Sequence, residues 1–372
     1  MSKVEIATIM RDVAATGTLS APLEQWKIIN SIINCRTAAL GGHLYRCNSC
    51  GKEQPQYNSC RNRHCPKCQG GNTAKWLEKR AAELLPVPYF HIVFTLPHEF
   101  NSLVLFNKKV VLDILFKAAS ETLREVAKKR LGGKIGFFGV LHSWGQKLEF
   151  HPHLHLVVPG VVMKPDDTIE KTSSKFFLPQ KVLSLVFRAV FIKLLRRAYQ
   201  KKEISYDSFD ELISVVKKKE WISYAKKPFS GPETVLKYLS CYTHRIAISN
   251  TRLLEYKNGK VTFSYKDYSD NCTKKQTTLS ASEFIRRFLL HVLPKQFVRI
   301  RHFGFLANGV RTKALRKLRA ALGVKETNSL LLSPCSEPQC IFCGKTALQC
   351  IAEIKPCYTT NPHKTKELPF VA

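Results

Sequence analysis

His151-Pro152-His153-Leu154-His155-Leu156-Val157-Val158 alternates imidazoles with aliphatic side chains at the period of a β-strand. Side chains two apart share a face, so His153 and His155 point together while Leu154 and Leu156 turn toward a core. Upstream, Ile135 to Ser143 reads as a second strand, joined to the first through a short polar connection that contains Gly145. The two runs therefore form a hairpin, and a register that sets His142 opposite His153 brings a third imidazole onto the same face. His151 and Gln146 compete with His142 for that third place. A lone strand histidine is ordinarily just hydrogen-bonded. Several on one face are a cost unless a metal ion or a phosphate offsets it, because each is a potential cation. A metal site on a β-ribbon is the expectation.

Outward from the hairpin, Tyr89 to Leu96 is a β-rich run stopped by Pro97, which reads as a central strand. Leu103, Phe106, Val110 and Ile114 then step by three and four, marking an amphipathic crossover helix that fades near Arg130 and ends at Gly132-Gly133. Strands interleaved with a long helix give an α+β class with an antiparallel sheet. Residues 164–230 carry Leu183, Val186 and Val190 at helical spacing, with Lys193, Arg196, Arg197, Lys201 and Lys202 among them. They read as a basic helical insertion. Further on, Asn258-Gly259 between two β-like runs is a strong hairpin signal.

Glu233 to Arg245, preceded by Gly231-Pro232, reads as a helix with proline at its first position. On it Tyr238 and Tyr242 are offset by about 40° and about 6 Å along the axis, so two phenols share one direction. Tyrosines four apart are often mere core. Here Lys237, His244 and Arg245 surround them with positive charge, which suits a phosphate and helps a phenol ionise.

Of the 13 cysteines, six lie between Cys35 and Cys68 and five between Cys335 and Cys357. Clusters beside histidines point to local zinc sites in a reducing compartment rather than to disulfides. Cys47-x-x-Cys50 and Cys65-x-x-Cys68 are two knuckles of the kind that close a tetrahedral zinc shell. Cys47, Cys50, Cys65 and Cys68 are the expected ligands, and Cys35, His43, Cys60 and His64 leave room for a second ion. The segment has too few aliphatic residues for a core, so zinc must supply its folding energy. Arg46, Lys52, Arg61, Arg63 and Lys67 make it basic, and Arg61 and Arg63 are expected on DNA phosphates. Cys340-Ile-Phe-Cys343-Gly is a further single knuckle, with Cys335 or Cys350 as possible partners.

Lys plus Arg number 59 against 28 Asp plus Glu, a formal charge of +31. Such a surface calls for a polyanion. No run reaches the roughly 18 apolar residues of a spanning helix, and the first thirty residues lack a signal-peptide core. Nucleic acid is therefore the expected partner, membrane is not, and a cytoplasmic location beside nucleic acid is expected. Between Arg286 and Arg319 the basic residues interleave with Phe297, Phe303 and Phe305, a combination that suits unstacked single strands, although such phenylalanines are more often core. No GxxxxGK[ST] loop is present, so no nucleotide cofactor is expected. No grouped carboxylates point to integration by an acidic triad.

In chain order, CRTAALGGHLYRCNSCG, NSCRNRHCPKCQ, LHSWGQ, HPHLHLVVPG and YLSCYTHRIAISN span roughly residues 35 to 255. That ordered set resembles rolling-circle transposases of the insertion-sequence 91 type, of the two-tyrosine class. The resemblance implies an HUH endonuclease (histidine, hydrophobic, histidine): a ferredoxin- or RRM-like antiparallel sheet with helices, its strand histidines holding Mg²⁺ or Mn²⁺. It implies His153 and His155 as metal ligands and Tyr238 and Tyr242 as nucleophiles that nick and rejoin single-stranded DNA at transposon ends and target. His142 is the expected third ligand, and Lys237 and Arg245 are expected on DNA. A plasmid relaxase or rolling-circle replication initiator would share this chemistry, but the finger arrangement and the lack of a helicase segment favour a transposase. The expected organisation is a zinc-binding and DNA-binding domain over 1–80, an HUH nuclease domain over 86–270 with the insertion at about 164–230, a basic helical region over 271–330, and a cysteine-containing tail over 331–372.

Overall fold

The computed structural model describes residues 4–17, 19–68, 76–77, 80–173, 178–229, 234–235, 246–268, 270–324 and 338–357, with backbone alone at 225–229. Two amphipathic helices open the chain, α1 (Ile6–Ala15) and α2 (Leu23–Ile33), followed by the strands β1 (Gly42–Cys47) and β2 (Glu53–Tyr57). The buried stripe of α1, Ile6, Ile9, Met10 and Val13, recurs at helical spacing. The two strands bury almost nothing: only Gly42 and Cys47 in β1, and Gln54 in β2, are withdrawn from solvent.

The central sheet has five strands in the order β12-β4-β5-β3-β8, antiparallel at every pairing. They are β3 (Tyr89–Thr95), β4 (Gly136–Trp144), β5 (Phe150–Pro159), β8 (Ser223–Phe229) and β12 (Ile300–Gly304). Two helices, α3 (Asn101–Phe106) and α4 (Lys108–Leu131), occupy the expected crossover, and β6 (Val161–Met163) pairs with β7 (Ile169–Lys171) beyond the hairpin. The alternation read in His151–Val158 holds: Leu154, Leu156 and Val158 join Phe94, Phe137 and Leu141 in the main core under α4.

Residues 164–230 are more than a basic insertion. Their helix α5 (Gln180–Gln200) buries Leu183, Phe187, Phe191 and Leu195 against α4 and the sheet, with Phe187 stacked on Phe94 at 4.4 Å between ring centroids. Each such burial contributes about 2–3 kcal/mol, so α5 is integral to the core. The helix is amphipathic, and its Lys193, Arg196 and Arg197 lie on the opposite, solvated side. A shorter helix, α6 (Phe209–Lys218), follows, and β8 then closes one edge of the sheet.

A three-stranded sheet of β9 (Leu253–Lys257), β10 (Lys260–Asp267) and β11 (Thr273–Ser280) stands beside the central one. Asn258 and Gly259 both take positive φ, 50° and 66°, as a tight hairpin turn of mirror-image type requires. The Ser280 hydroxyl accepts a hydrogen bond from the Glu283 N–H and caps α7 (Ala281–Leu290), whose Phe284, Ile285 and Phe288 pack with Phe263 against α1. Residues 271–330 are thus not simply helical, because β12 forms the other edge of the central sheet before α8 (Arg311–Ala321). Phe297 and Phe305 are buried, and Phe303 stacks on Phe137, so all three serve packing. The last described strand, β13 (Leu348–Ile354), returns to pair with β1. Among the described residues no helix is long and apolar enough to cross a membrane.

The second face of the central sheet is divided. At one end Tyr89, Phe138, Val140 and Val157 are covered by Leu85, Phe305, Val235 and the Leu315 and Leu318 side chains of α8. At the other end the same face carries the histidines, which line a cleft among the described residues.

Candidate metal centre and its cleft

His142 on β4 and His153 on β5 are paired directly across the ladder, and His155 follows two residues along on the same face. Ring centroids lie 5.6 Å apart for His142 and His153, 4.6 Å for His142 and His155, and 4.9 Å for His153 and His155. One ligand atom from each of the three lies within 4.8 Å of the others, a spacing that one cation can bridge. Burial pushes the His153 imidazole down to about 4, so it is neutral near pH 7 and keeps a lone pair for a metal.

The surroundings of these rings select the atoms they can offer. His153 Nδ1 donates to the His151 carbonyl at 2.7 Å, which leaves its Nε2 as the ligand atom. His155 Nδ1 lies 2.9 Å from Nε2 of His91, a residue of β3 whose ring stacks parallel to it. The tautomer in which His155 donates to His91 likewise leaves Nε2 of His155 available. Orienting partners of this kind fix both the ring and the tautomer of metal-binding histidines. His91 was not singled out from the sequence. The signal was a histidine inside the otherwise apolar run Phe90–Phe94, on the strand that pairs with β5, and it required that pairing to be read.

The two rivals for the third position have other partners. His151 stays outside the close group and serves through its carbonyl. Gln146 donates to the Tyr268 hydroxyl at 3.3 Å and accepts from the Lys266 N–H at 3.3 Å, tying the β4–β5 loop to β10.

Above the histidines opens a cleft of about 690 Å³ whose walls include Trp144, Lys147, Glu149, Tyr224, Tyr265, Lys266 and Tyr268. Tyr224 is 50% exposed and Tyr268 67%, and Lys147 Nζ lies 4.7 Å from the centre of the Tyr265 ring. The imidazoles of His142, His153 and His155 line this cleft, and its wall sets aromatic faces beside two lysines and the carboxylates of Glu149 and Asp267. That combination accepts a phosphate together with a base. Tyr238, Tyr242, Lys237 and Arg245 lie outside the described residues.

The cysteines are grouped otherwise than expected. Cys47, Cys50, Cys65 and Cys68 do not converge. Cys35, Cys60, Cys65 and Cys68 form one group, with Cys35 and Cys60 Sγ at 3.5 and 3.6 Å from Cys68 Sγ, while Cys47 and Cys50 join Cys340 and Cys343. The hydrogen bond from Cys65 holds the Cys60 thiol down to about 5, so it is readily a thiolate. His43 and His64 belong to neither group: His43 lies 3.8 Å from Cys350 Sγ, and His64 packs beside Arg299 and His291. Cys335 lies outside the described residues, and Cys350 belongs to neither group. Arg61 is exposed, but the Arg63 guanidinium donates to the carbonyls of Pro294 and Phe297 and so anchors the cysteine-rich head instead of facing solvent.

Residues 6–96 match a family model described as a transposase zinc-binding domain, and residues 136–314 match one described as "Putative transposase". The chain is 47% identical over 314 residues to a protein of Sinorhizobium fredii titled "Putative transposase y4qJ", covering 81% of this chain and 79% of that one. It is 31% identical over 335 residues to the transposase for insertion sequence element IS801 of Pseudomonas savastanoi, covering 85% of this chain and 81% of that one. No solved structure matches it. With a cysteine-rich zinc-binding head joined to an α+β body along most of the length of such relatives, the chain belongs to the insertion-sequence 91 family of transposases.

Proposed function

We propose that this transposase nicks and rejoins single-stranded DNA at insertion-sequence ends by tyrosine transesterification, with a divalent cation, Mg²⁺ or Mn²⁺, held by His142, His153 and His155. The observation that carries the reading is the histidine trio lining an aromatic cleft, beside Lys147 and Lys266 and the carboxylates of Glu149 and Asp267. Three clustered imidazoles fit such an ion, since each would offer it one ring nitrogen. When bound, the cation polarises a non-bridging oxygen of the scissile phosphate.

The residues of the chain do the rest. A phenol oxygen of Tyr238 or Tyr242 attacks phosphorus, the tyrosine O–P bond forms, and the bond from phosphorus to the 3′ oxygen breaks. The phenolic proton ends on the released 3′-hydroxyl. One phosphodiester replaces another, so rejoining needs no nucleotide fuel, and a second tyrosine allows a second strand to be cut while the first is held. The placement of Val235 supports this assignment. It is buried against Val157 and Phe138 on the same sheet face as the histidines, only three residues before Tyr238. The cleft wall of Tyr224, Tyr265, Tyr268, Lys147 and Lys266 is suited to splayed bases and their phosphates, which favours single-stranded over duplex DNA. Cys35, Cys60, Cys65 and Cys68 hold a structural zinc ion in the head.

Single-stranded oligonucleotides bearing the element's end, incubated with Mn²⁺, test the reading through denaturing gels. Wild-type protein gives a covalent protein–DNA adduct and a free 3′-hydroxyl fragment. Tyr238→Phe and Tyr242→Phe together abolish the adduct. If both single variants still form it at the full rate and the double variant also does, the nucleophile lies elsewhere.

A further inference from the structure

We propose that the chain carries a second structural zinc site split between its two ends, formed by Cys47 and Cys50 near the N-terminus and Cys340 and Cys343 near the C-terminus. Their four sulfurs lie within 4.8 Å of one another, with Cys47 Sγ 3.6 Å from Cys343 and Cys50 Sγ 3.7 Å from Cys340. The second pair falls outside both stretches that match family models, 6–96 and 136–314.

The two pairs belong to one repeated device. Cys47-Asn-Ser-Cys50-Gly51-Lys52 and Cys340-Ile-Phe-Cys343-Gly344-Lys345 share the pattern CxxCGK. In the first, Gly51 N–H donates to the Cys47 carbonyl at 2.8 Å and Cys47 N–H to the Lys52 carbonyl at 2.9 Å. In the second, Gly344 N–H donates to the Cys340 carbonyl at 2.8 Å and Cys340 N–H to the Lys345 carbonyl at 2.9 Å. Gly51 and Gly344 adopt φ of 68° and 73°, the left-handed conformation that a glycine takes without strain. Each turn aims two thiols the same way, as a zinc knuckle does.

The strands agree with the turns. β2 follows the first knuckle and β13 the second, and both pair antiparallel with β1 on its two sides. The knuckles also hold each other, because Asn48 N–H donates to the Ala347 carbonyl at 2.8 Å and Ile341 N–H to the Gln54 side-chain oxygen at 2.8 Å. The result is a zinc ribbon whose halves are separated by almost the whole chain. Its strands lack an apolar core: β13 has no buried residue, and Ile341 and Phe342 are exposed. Sulfur–metal bonds are the term that can close it.

The native protein gives the first test. Thiol alkylation followed by mass spectrometry should show Cys343 protected together with Cys47, Cys50 and Cys340, although Cys343 is exposed, while Cys350 and Cys357 react at once. A chelator should release all four as a set. The second test uses cobalt in place of zinc, because thiolate-to-cobalt absorption is blind to the histidine centre. Wild type should show two thiolate-bound equivalents per chain. Cys47→Ser with Cys50→Ser should lose one, Cys340→Ser with Cys343→Ser should lose one, and all four together still only one. Cys343→His, which keeps a zinc ligand, should retain the second equivalent, which separates loss of the site from loss of the fold. Rapid alkylation of Cys343 in the native protein, or loss of two equivalents in the quadruple variant with Cys343→His also deficient, overturns the shared site.

Discussion

The histidine centre and the cysteine head both gather metal-ligating side chains, yet they are held in opposite ways. His142, His153 and His155 stand on strands whose other face is packed against α4 and α5 by Phe94, Phe137, Leu154, Phe187 and their neighbours. The packing of that opposite face fixes the strands that carry the imidazoles. The strands β1, β2 and β13 of the head bury little, and their sulfurs converge from distant points of the chain. At the first site the proposed metal would be a reagent on a surface that packing already builds. At the second it is part of the fold.

Removal of zinc from the thiolates should therefore have the largest effect and the most confined one. Zinc binding to finger peptides is worth about 10–16 kcal/mol, more than a small head of this kind can replace by packing. Hydrogen exchange after treatment with a thiol-competitive chelator should show β1, β2 and β13 losing protection while β3, β4, β5 and α4 keep theirs. Equal loss in the central sheet would mean that the two regions fold as one unit, and the contrast would fail.

The converse experiment removes ligands from the finished surface. His153→Ala with His155→Ala should lower strand cleavage by roughly 10³-fold, the scale of losing a main electrostatic stabiliser, while thermal unfolding of the metal-free protein changes little. A collapse of thermal stability would show that the imidazoles are structural after all. A smaller loss is expected from His91→Phe, which keeps an aromatic ring beside His155 but no nitrogen. Metal affinity should fall about 10–100-fold and the cleavage rate should recover at saturating Mn²⁺, the signature of a residue that positions a ligand without touching the ion. If calorimetric affinity for Mn²⁺ is unchanged, His91 is only packing.

The same contrast explains what could be read from the sequence. The trio was legible because strand alternation is local: His153-Leu-His155 reveals its faces without knowledge of the rest, and one hairpin register adds His142. His91 was not, since its relation to His155 exists only after β3 is laid beside β5. The cysteine knuckles were visible as knuckles, but their pairing was not, because the shared CxxCGK pattern is spread over almost the whole chain. Proximity in sequence suggested Cys65 and Cys68 for Cys47 and Cys50, whereas the chain supplies Cys340 and Cys343. The basic texture of 164–230 concealed a core helix for a similar reason, as the charges of α5 occupy the opposite side from Phe187 and Phe191. Arg63 likewise looked like a surface cation because carbonyl partners at Pro294 and Phe297 leave no trace near it in the sequence.

The smallest expected effect concerns the cleft wall, and it asks whether the finished surface extends beyond the metal. Tyr268 and Tyr224 expose 67% and 50% of their area and line the cleft. Stacking of a base on such a ring is worth about 1–3 kcal/mol. The lower end applies here, because an exposed ring already stacks weakly with solvent-shared contacts. Tyr268→Ala and Tyr224→Ala should each weaken single-stranded DNA binding by about fivefold in fluorescence anisotropy and leave duplex binding unchanged, since paired bases cannot reach the ring. Tyr199→Ala is the matched control: that tyrosine is 37% exposed, stacks on Phe209 at 4.0 Å and is not among the residues lining the cleft. Equal losses for all three variants would mean that nonspecific surface charge, not the aromatic wall, carries the strand, and the preorganised surface would then end at the histidines.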